Sequence, residues 1–177
     1  MDFLNIGYLR DGNERQKLAY ETLVARQIME KLADFDPILT GTIPINIAIA
    51  TSDLDIICYF ENQQLFTEAV LKYFGTETDF QVRSGIASGE KIVVCNFKTQ
   101  HFEIEIFGQS IPTIKQNAYL HMLVEHQILQ SKDENFRLKI IQLKKDGYKT
   151  EPAFAILLGL KGNPYQSLLQ LLPTVSH

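Results

Sequence analysis

The chain has 177 residues with Lys and Arg numbering 17 against 21 Asp and Glu, a net charge of −4, and this balance argues against binding along an extended nucleic-acid backbone, which needs clustered cations. A chain of this length buries about 70% of its unfolded surface, so a core forms without disulfides, and the two cysteines, Cys58 and Cys95, lie in apolar runs where a free thiol packs as a small hydrophobe. No apolar run reaches the roughly 18 residues a membrane span needs, and the first residues lack a basic leader, so a cytoplasmic protein is expected.

Glu14 to Asp34 carries Leu18, Leu23, Ile28 and Leu32 among charges and reads as one long amphipathic helix, ended by Asp34 to Pro37. A strand through Ile38 and Leu39 runs into Gly41-Thr42. A short irregular or helical segment follows, then a strand over Asp53 to Phe60. Asn62 is placed to N-cap a helix reaching Tyr73, with Gly75 past its end. Strands are expected over Phe80 to Ile86 and Lys91 to Phe97 with Gly89 in their turn, and over His101 to Phe107, closed by Gly108. Gly108, Gly147, Gly159 and Gly162 all read as element ends. The remainder is helical: from Pro112 or Thr113 to Gln130, Glu134 to Lys145, Thr150 to Leu160, and Pro164 to Leu172 before Pro173. Strands followed by helices predict an α+β (mixed α/β) fold, an α/β domain over residues 1–109 and a C-terminal helical region over 110–177 packed on the sheet.

The chemistry concentrates between positions 39 and 107. Gly41 permits a tight turn whose N–H groups approach an anion, and Thr42 and Ser52 add hydroxyls for a phosphate. Asp53 and Asp55, two apart on a strand, share one face while Leu54, Ile56 and Cys58 share the other. Like charges this close are resolved by a hard cation, Mg²⁺ or Mn²⁺. In His101 to Phe107, Glu103 and Glu105 alternate with Phe102, Ile104 and Ile106, so either glutamate can supply a third carboxylate. Three carboxylates suit a two-metal clamp on an in-line displacement.

Leu39-Thr40-Gly41-Thr42, Asp53-Leu54-Asp55-Ile56 and Phe102-Glu103-Ile104 or Ile104-Glu105-Ile106 together resemble the nucleotidyltransferase superfamily of polymerase-beta type, whose pattern is hG[GS], then Dh[DE]h, then h[DE]h, with h apolar. With Lys149-Thr150-Glu151-Pro152-Ala153-Phe154-Ala155, the whole chain is similar to a small bacterial branch known only as a domain of unknown function. The resemblance implies a nucleotidyltransferase fold with a helical cap and transfer of a nucleotidyl group from a nucleoside triphosphate to a small-molecule or protein hydroxyl. Asp53, Asp55 and Glu103 would hold metal, with Glu105 the alternative third acid. Thr42 stands where the pattern has Gly or Ser, and residues 43–51 contain no Lys or Arg, which leaves a triphosphate short of a counter-charge there. That departure motivates the alternative of a catalytically silent member that binds a ligand or partner.

Other polar residues have plainer readings beside the functional ones. Arg83, opposite Phe80 and Val82 on its strand, is placed to meet a phosphate or one of the acids, and its plainer reading is a cross-strand ion pair. Lys149 precedes a helix start that favours anions, and Thr150 is read as that helix's N-cap. His121, Glu125 and His126 lack the paired imidazoles of a zinc helix, and His121 with Glu125, one turn apart, reads as a surface pair ahead of a polar contact to the substrate. Arg137, Lys139, Lys144, Lys145 and Lys149 read as a solvated face.

Overall fold

The alternating segments become β1 (Ile38–Thr40), β2 (Leu54–Tyr59), β3 (Thr78–Ala87), β4 (Glu90–Lys98) and β5 (Glu103–Gln109) in a computed structural model that describes residues 1–172. They make one sheet in the order β1-β2-β5-β4-β3. β2 and β5 run parallel, and every other neighbouring pair is antiparallel. Ser88 (φ 52°) and Gly89 (φ 85°) turn β3 into β4 with two left-handed residues, the turn whose twist matches a hairpin.

The helices are α1 (Glu14–Ala25), α2 (Ile28–Lys31), α3 (Gln63–Phe74), α4 (Asn117–Ser131), α5 (Glu134–Lys145), α6 (Thr150–Leu158) and α7 (Pro164–Leu169). Asn13 and Gln16 form a reciprocal capping box on α1, and Asn62 accepts from the Gln64 and Leu65 N–H groups to cap α3. The long first helix expected from the sequence is broken. Leu23 and Ile28 are both fully buried, yet five residues of straight helix would point them in directions about 140° apart. Gln27, left-handed at φ 53°, resets the direction, so Ile28 and Leu32 both return to the core. Thr150 also departs from expectation: it is the first residue of α6, Lys149 takes the N-cap position, and no side chain caps that end. Pro173, expected to end the last helix, lies outside the described residues.

Two apolar clusters result. In the first, Leu54, Ile56, Cys58, Cys95, Ile104 and Ile106 from one sheet face meet Ala19, Leu23, Phe66, Val70 and Phe74 from α1 and α3. In the second, Met122, Val124, Ile140, Phe154 and Leu168 from the later helices enclose Ile45 and Ile47 from the segment after β1. The later helices pack on one another and on that segment, and α4 also meets β1 at the edge of the sheet. The sheet face turned toward them carries Asp55 and Glu105, which an apolar layer cannot cover without a large desolvation cost. A cleft is left between. No helix among the described residues is long and apolar enough to cross a membrane.

Gly108 does not close its strand. It pairs with Cys58 on one side and Val93 on the other, and a Cβ there would lie 2.4 Å from Cε1 of the buried Phe66 ring. Its role is close packing of α3 on the sheet. Gly108→Ala is expected to cost about 1–3 kcal/mol of stability by urea denaturation, with part of the loss recovered when Phe66→Leu is added. Wild-type stability in the single variant would contradict this account.

Candidate functional site

Gly41 begins the site, and its lack of a side chain is required twice. The residue is left-handed (φ 79°), and a Cβ on it would stand 2.5 Å from Oδ2 of Asp55. β1 delivers the turn to that position because Thr40 pairs with Asp55 across the antiparallel β1–β2 ladder. Residues 42–52 then fold back on themselves. The Ile47 N–H donates to the Thr42 carbonyl (3.1 Å), the Ile49 N–H to Ser52 Oγ (3.0 Å), and the Thr42 hydroxyl to Ser52 Oγ (3.2 Å). Thr42 and Ser52 are thus held side by side at the mouth of the turn.

Side chains from two helices satisfy the carbonyls that this loop exposes. Gln16 of α1 donates to Ile43 and Pro44 (2.9 and 3.2 Å). Arg15 reaches Ala50 and Ser52 (3.0 and 2.8 Å), with its guanidinium 4.2 Å above the Phe102 ring. From α5, Arg137 donates to Asn46 (2.9 Å) and Lys144 to Ile47 (3.0 Å). Charged donors make the stronger hydrogen bonds, so an otherwise irregular loop is pinned from both sides.

Asp53 immediately precedes β2, Asp55 lies within it, and Glu105 stands in register with Asp55 across the parallel β2–β5 pair. Burial, then Asp53 and Glu105, push the Asp55 carboxyl up to about 7, against a downward pull from Lys144. No ion pair among the described residues ties up Asp53, Asp55 or Glu105. Glu103 lies two residues earlier, in register with Lys98, and borders a separate depression with Asp79 and Arg83. Lys98 pairs with Asp79 (2.9 Å). Arg83 donates to Asn96 (3.1 Å), which in turn donates to Glu105 (3.2 Å), so Arg83 is linked to the acids through one intermediary and does not line the cleft.

The cleft has a volume of about 930 Å³. Gly41, Thr42, Ser52, Asp53, Asp55 and Glu105 line its sheet side, while Lys144, Lys149, His121, Glu125 and Glu151 line its helical side. Lys144 was not legible as a cleft residue in the run of late cations, yet it is buried there. Burial lowers its ammonium to about 8, against Glu125, Asp53, Asp55 and Glu151, which favour the charge. The available signal was its position four residues after Ile140, which puts both on the inward side of α5. His121 and Glu125 are likewise buried, in contrast to the surface pair expected, and they share a side of α4 with Val124 and Ile128. His126 stands apart from them, edge-on to Phe3 at 5.0 Å.

Residues 21–171 match the model of a family described as Domain of unknown function (DUF4269). The chain belongs to that family. No curated protein matches it. Among solved structures, the DUF4269 chain is similar to the Cid1 poly(U) polymerase with Mg 3'-dATP bound, at a TM-score of 0.54 and 13% identity, over 75% of this chain and 41% of that one. A second Cid1 structure, described for the plasticity behind its RNA terminal uridylyl transferase activity, gives a TM-score of 0.52 and 14% identity over 74% and 40%. These likenesses show a nucleotidyltransferase fold. The DUF4269 chain spans about two fifths of the length of those polymerases.

The strain stored at Asp55 is measurable. Its carboxyl rises from 3.8 to about 7 on folding, so the folded protein holds that proton more tightly than the unfolded chain. The resulting stability is greatest below the unfolded value and is lost as pH rises through the folded one. Asp55→Asn, which cannot ionise, should raise the stability of the metal-free protein at about pH 8 by on the order of 4 kcal/mol and change it little at about pH 4. Thermal unfolding at both pH values tests this, and an equal shift at both would rule out ionisation as the cause.

Proposed function

We propose that this protein is a metal-dependent nucleotidyltransferase that moves a nucleotidyl group from a nucleoside triphosphate to the hydroxyl of a small molecule or protein. The observation that carries the reading is the convergence of Asp53, Asp55 and Glu105 beside the Gly41 turn in one cleft. Three carboxylates offer an all-oxygen donor set, and Asp55, raised first by burial and then by the charges of Asp53 and Glu105, is a group that a hard divalent cation would hold ionised. Mg²⁺ or Mn²⁺ bound there would supply Lewis-acid neutralisation of phosphate charge and lower the pKa of the attacking hydroxyl.

The protein's own groups account for the remaining requirements. The Gly41 turn, with the Thr42 and Ser52 hydroxyls held together at its mouth, receives the terminal phosphates. Lys144, buried on the opposite wall, is the counter-charge that residues 43–51 do not provide, and Lys149 adds a second cation at the cleft edge. The acceptor oxygen attacks the α-phosphorus, the new O–P bond forms as the bond to pyrophosphate breaks, and the hydroxyl proton passes to Glu105. Glu105 takes this role in preference to Glu103 because it faces Asp55 across the strand pair. The cleft suits a nucleotide with a compact acceptor, and the net charge of −4 favours such an acceptor over a long nucleic acid.

Transfer of labelled nucleotide from each triphosphate in Mg²⁺ or Mn²⁺ tests the proposal. Asp53→Asn and Asp55→Asn should each lower transfer by at least about 100-fold. Lys144→Gln should weaken triphosphate binding about 10-fold, and Glu103→Gln should stay within about 3-fold of wild type. Calorimetry that finds no triphosphate binding in either metal, with no change on Asp53→Asn, would sink the reading.

A further inference from the structure

A second group of ligating side chains stands on the helical wall of the cleft. His121 and Glu125 lie one turn apart on α4, Glu151 lies in the first turn of α6, and one donor atom from each comes within 4.8 Å of the others. His121 and Glu125 are only 7% and 3% exposed. Imidazole Nδ1 and carboxylate Oε1 are nevertheless buried without a hydrogen-bond partner among the described residues. Buried polar atoms are nearly always paired, and leaving one unpaired costs enough that two adjacent cases call for an explanation. Lys144, the nearby cation, directs a hydrogen bond to the Ile47 carbonyl.

We propose that His121, Glu125 and Glu151 form a transition-metal site, with Zn²⁺ the best-matched ion, distinct from the all-oxygen site of Asp53, Asp55 and Glu105. One imidazole and two carboxylates suit a borderline ion better than Mg²⁺, which takes oxygen donors and keeps much of its water. Zn²⁺ binds such donors at about 2.0–2.2 Å, which places tetrahedral ligand atoms about 3.5 Å apart. The three groups therefore need to draw together by roughly an ångström. Glu151 is the half-buried member and lies at a helix end, so its side chain makes most of that movement. Three protein ligands leave a fourth position open to the cleft, free to take water or an anionic group of a bound ligand. The ion would also fasten α6 to α4. None of the three ligands has been given a part in nucleotidyl transfer, so this site stands or falls independently of that activity.

The test uses the full chain carrying Asp53→Asn and Asp55→Asn, which disables the all-oxygen site. The protein is stripped with a chelator, then titrated with Zn²⁺ by calorimetry and with Co²⁺ by visible absorption. One Zn²⁺ per chain is expected, together with the d–d bands of a low-coordinate Co²⁺ site. His121→Ala and Glu151→Gln should each weaken Zn²⁺ binding by at least about 10-fold with unchanged circular dichroism. Should His121→Ala fail to fold, Glu151→Gln, at the least buried of the three ligands, decides the question. Zn²⁺ affinity unchanged by Glu151→Gln, or no Zn²⁺ binding to the folded protein, overturns the proposal. Failure of the unsubstituted protein to transfer nucleotide, with Zn²⁺ binding intact, would count against the aspartate site alone.

Discussion

The contact between Gly41 and the Asp55 carboxylate is the constraint around which this protein is organised. A side chain at position 41 would occupy the space of Oδ2, and the backbone there adopts a conformation that side chains disfavour. Turn and acid are therefore coupled: β1 must end where it does for β2 to present its carboxylate against the turn. The same arrangement fixes the start of the 42–52 loop. Because that loop is irregular, its carbonyls need donors from elsewhere, and α1 and α5 supply them. One glycine thus determines where two otherwise unrelated layers of the molecule must meet.

That meeting concentrates charge. The sheet wall is acidic, the helical wall mixes acids with a buried lysine, and the Asp55 carboxyl and Lys144 ammonium are both displaced toward neutrality by burial. An apolar cleft of the same shape would be more stable. Retaining unrelieved repulsion in a protein whose folding margin is ordinarily small is the pattern of a surface kept ready for a charged ligand. The second apolar cluster makes this tolerable. Ile45 and Ile47 lock the loop into the helical layer, so the repulsion cannot be relieved by the walls drifting apart.

Local patterns in the sequence revealed the strands well. Strict alternation marked β5, the apolar runs marked β2 and β4, and Gly89 marked the hairpin. Asn62 and the Glu134 to Lys145 helix were equally plain, because caps and 3.6-residue periods are written locally. What stayed hidden was set by long-range packing. The break at Gln27 follows from which residues the core admits, and Gly108 is an interior contact because α3 happens to cross there. The distinction between Glu103 and Glu105 depends on the register of β2 against β5, strands nearly fifty residues apart in the chain, and alternation alone treats the two alike. Lys144, His121 and Glu125 were misplaced because charged residues on amphipathic helices are usually solvated. Their coincidence with inward apolar positions was the neglected clue.

The two cysteines illustrate a different property of the same architecture. Cys58 and Cys95 lie on the central strands with their side chains in the first apolar cluster, fully buried, and burial pushes both thiols up, Cys95 to about 12. A thiol reagent needs both access and thiolate, and the folded sheet withholds both. Alkylation of this chain therefore cannot proceed from the closed state. Its rate becomes a clock for opening of the sheet, provided by nature at two positions and readable without any introduced label.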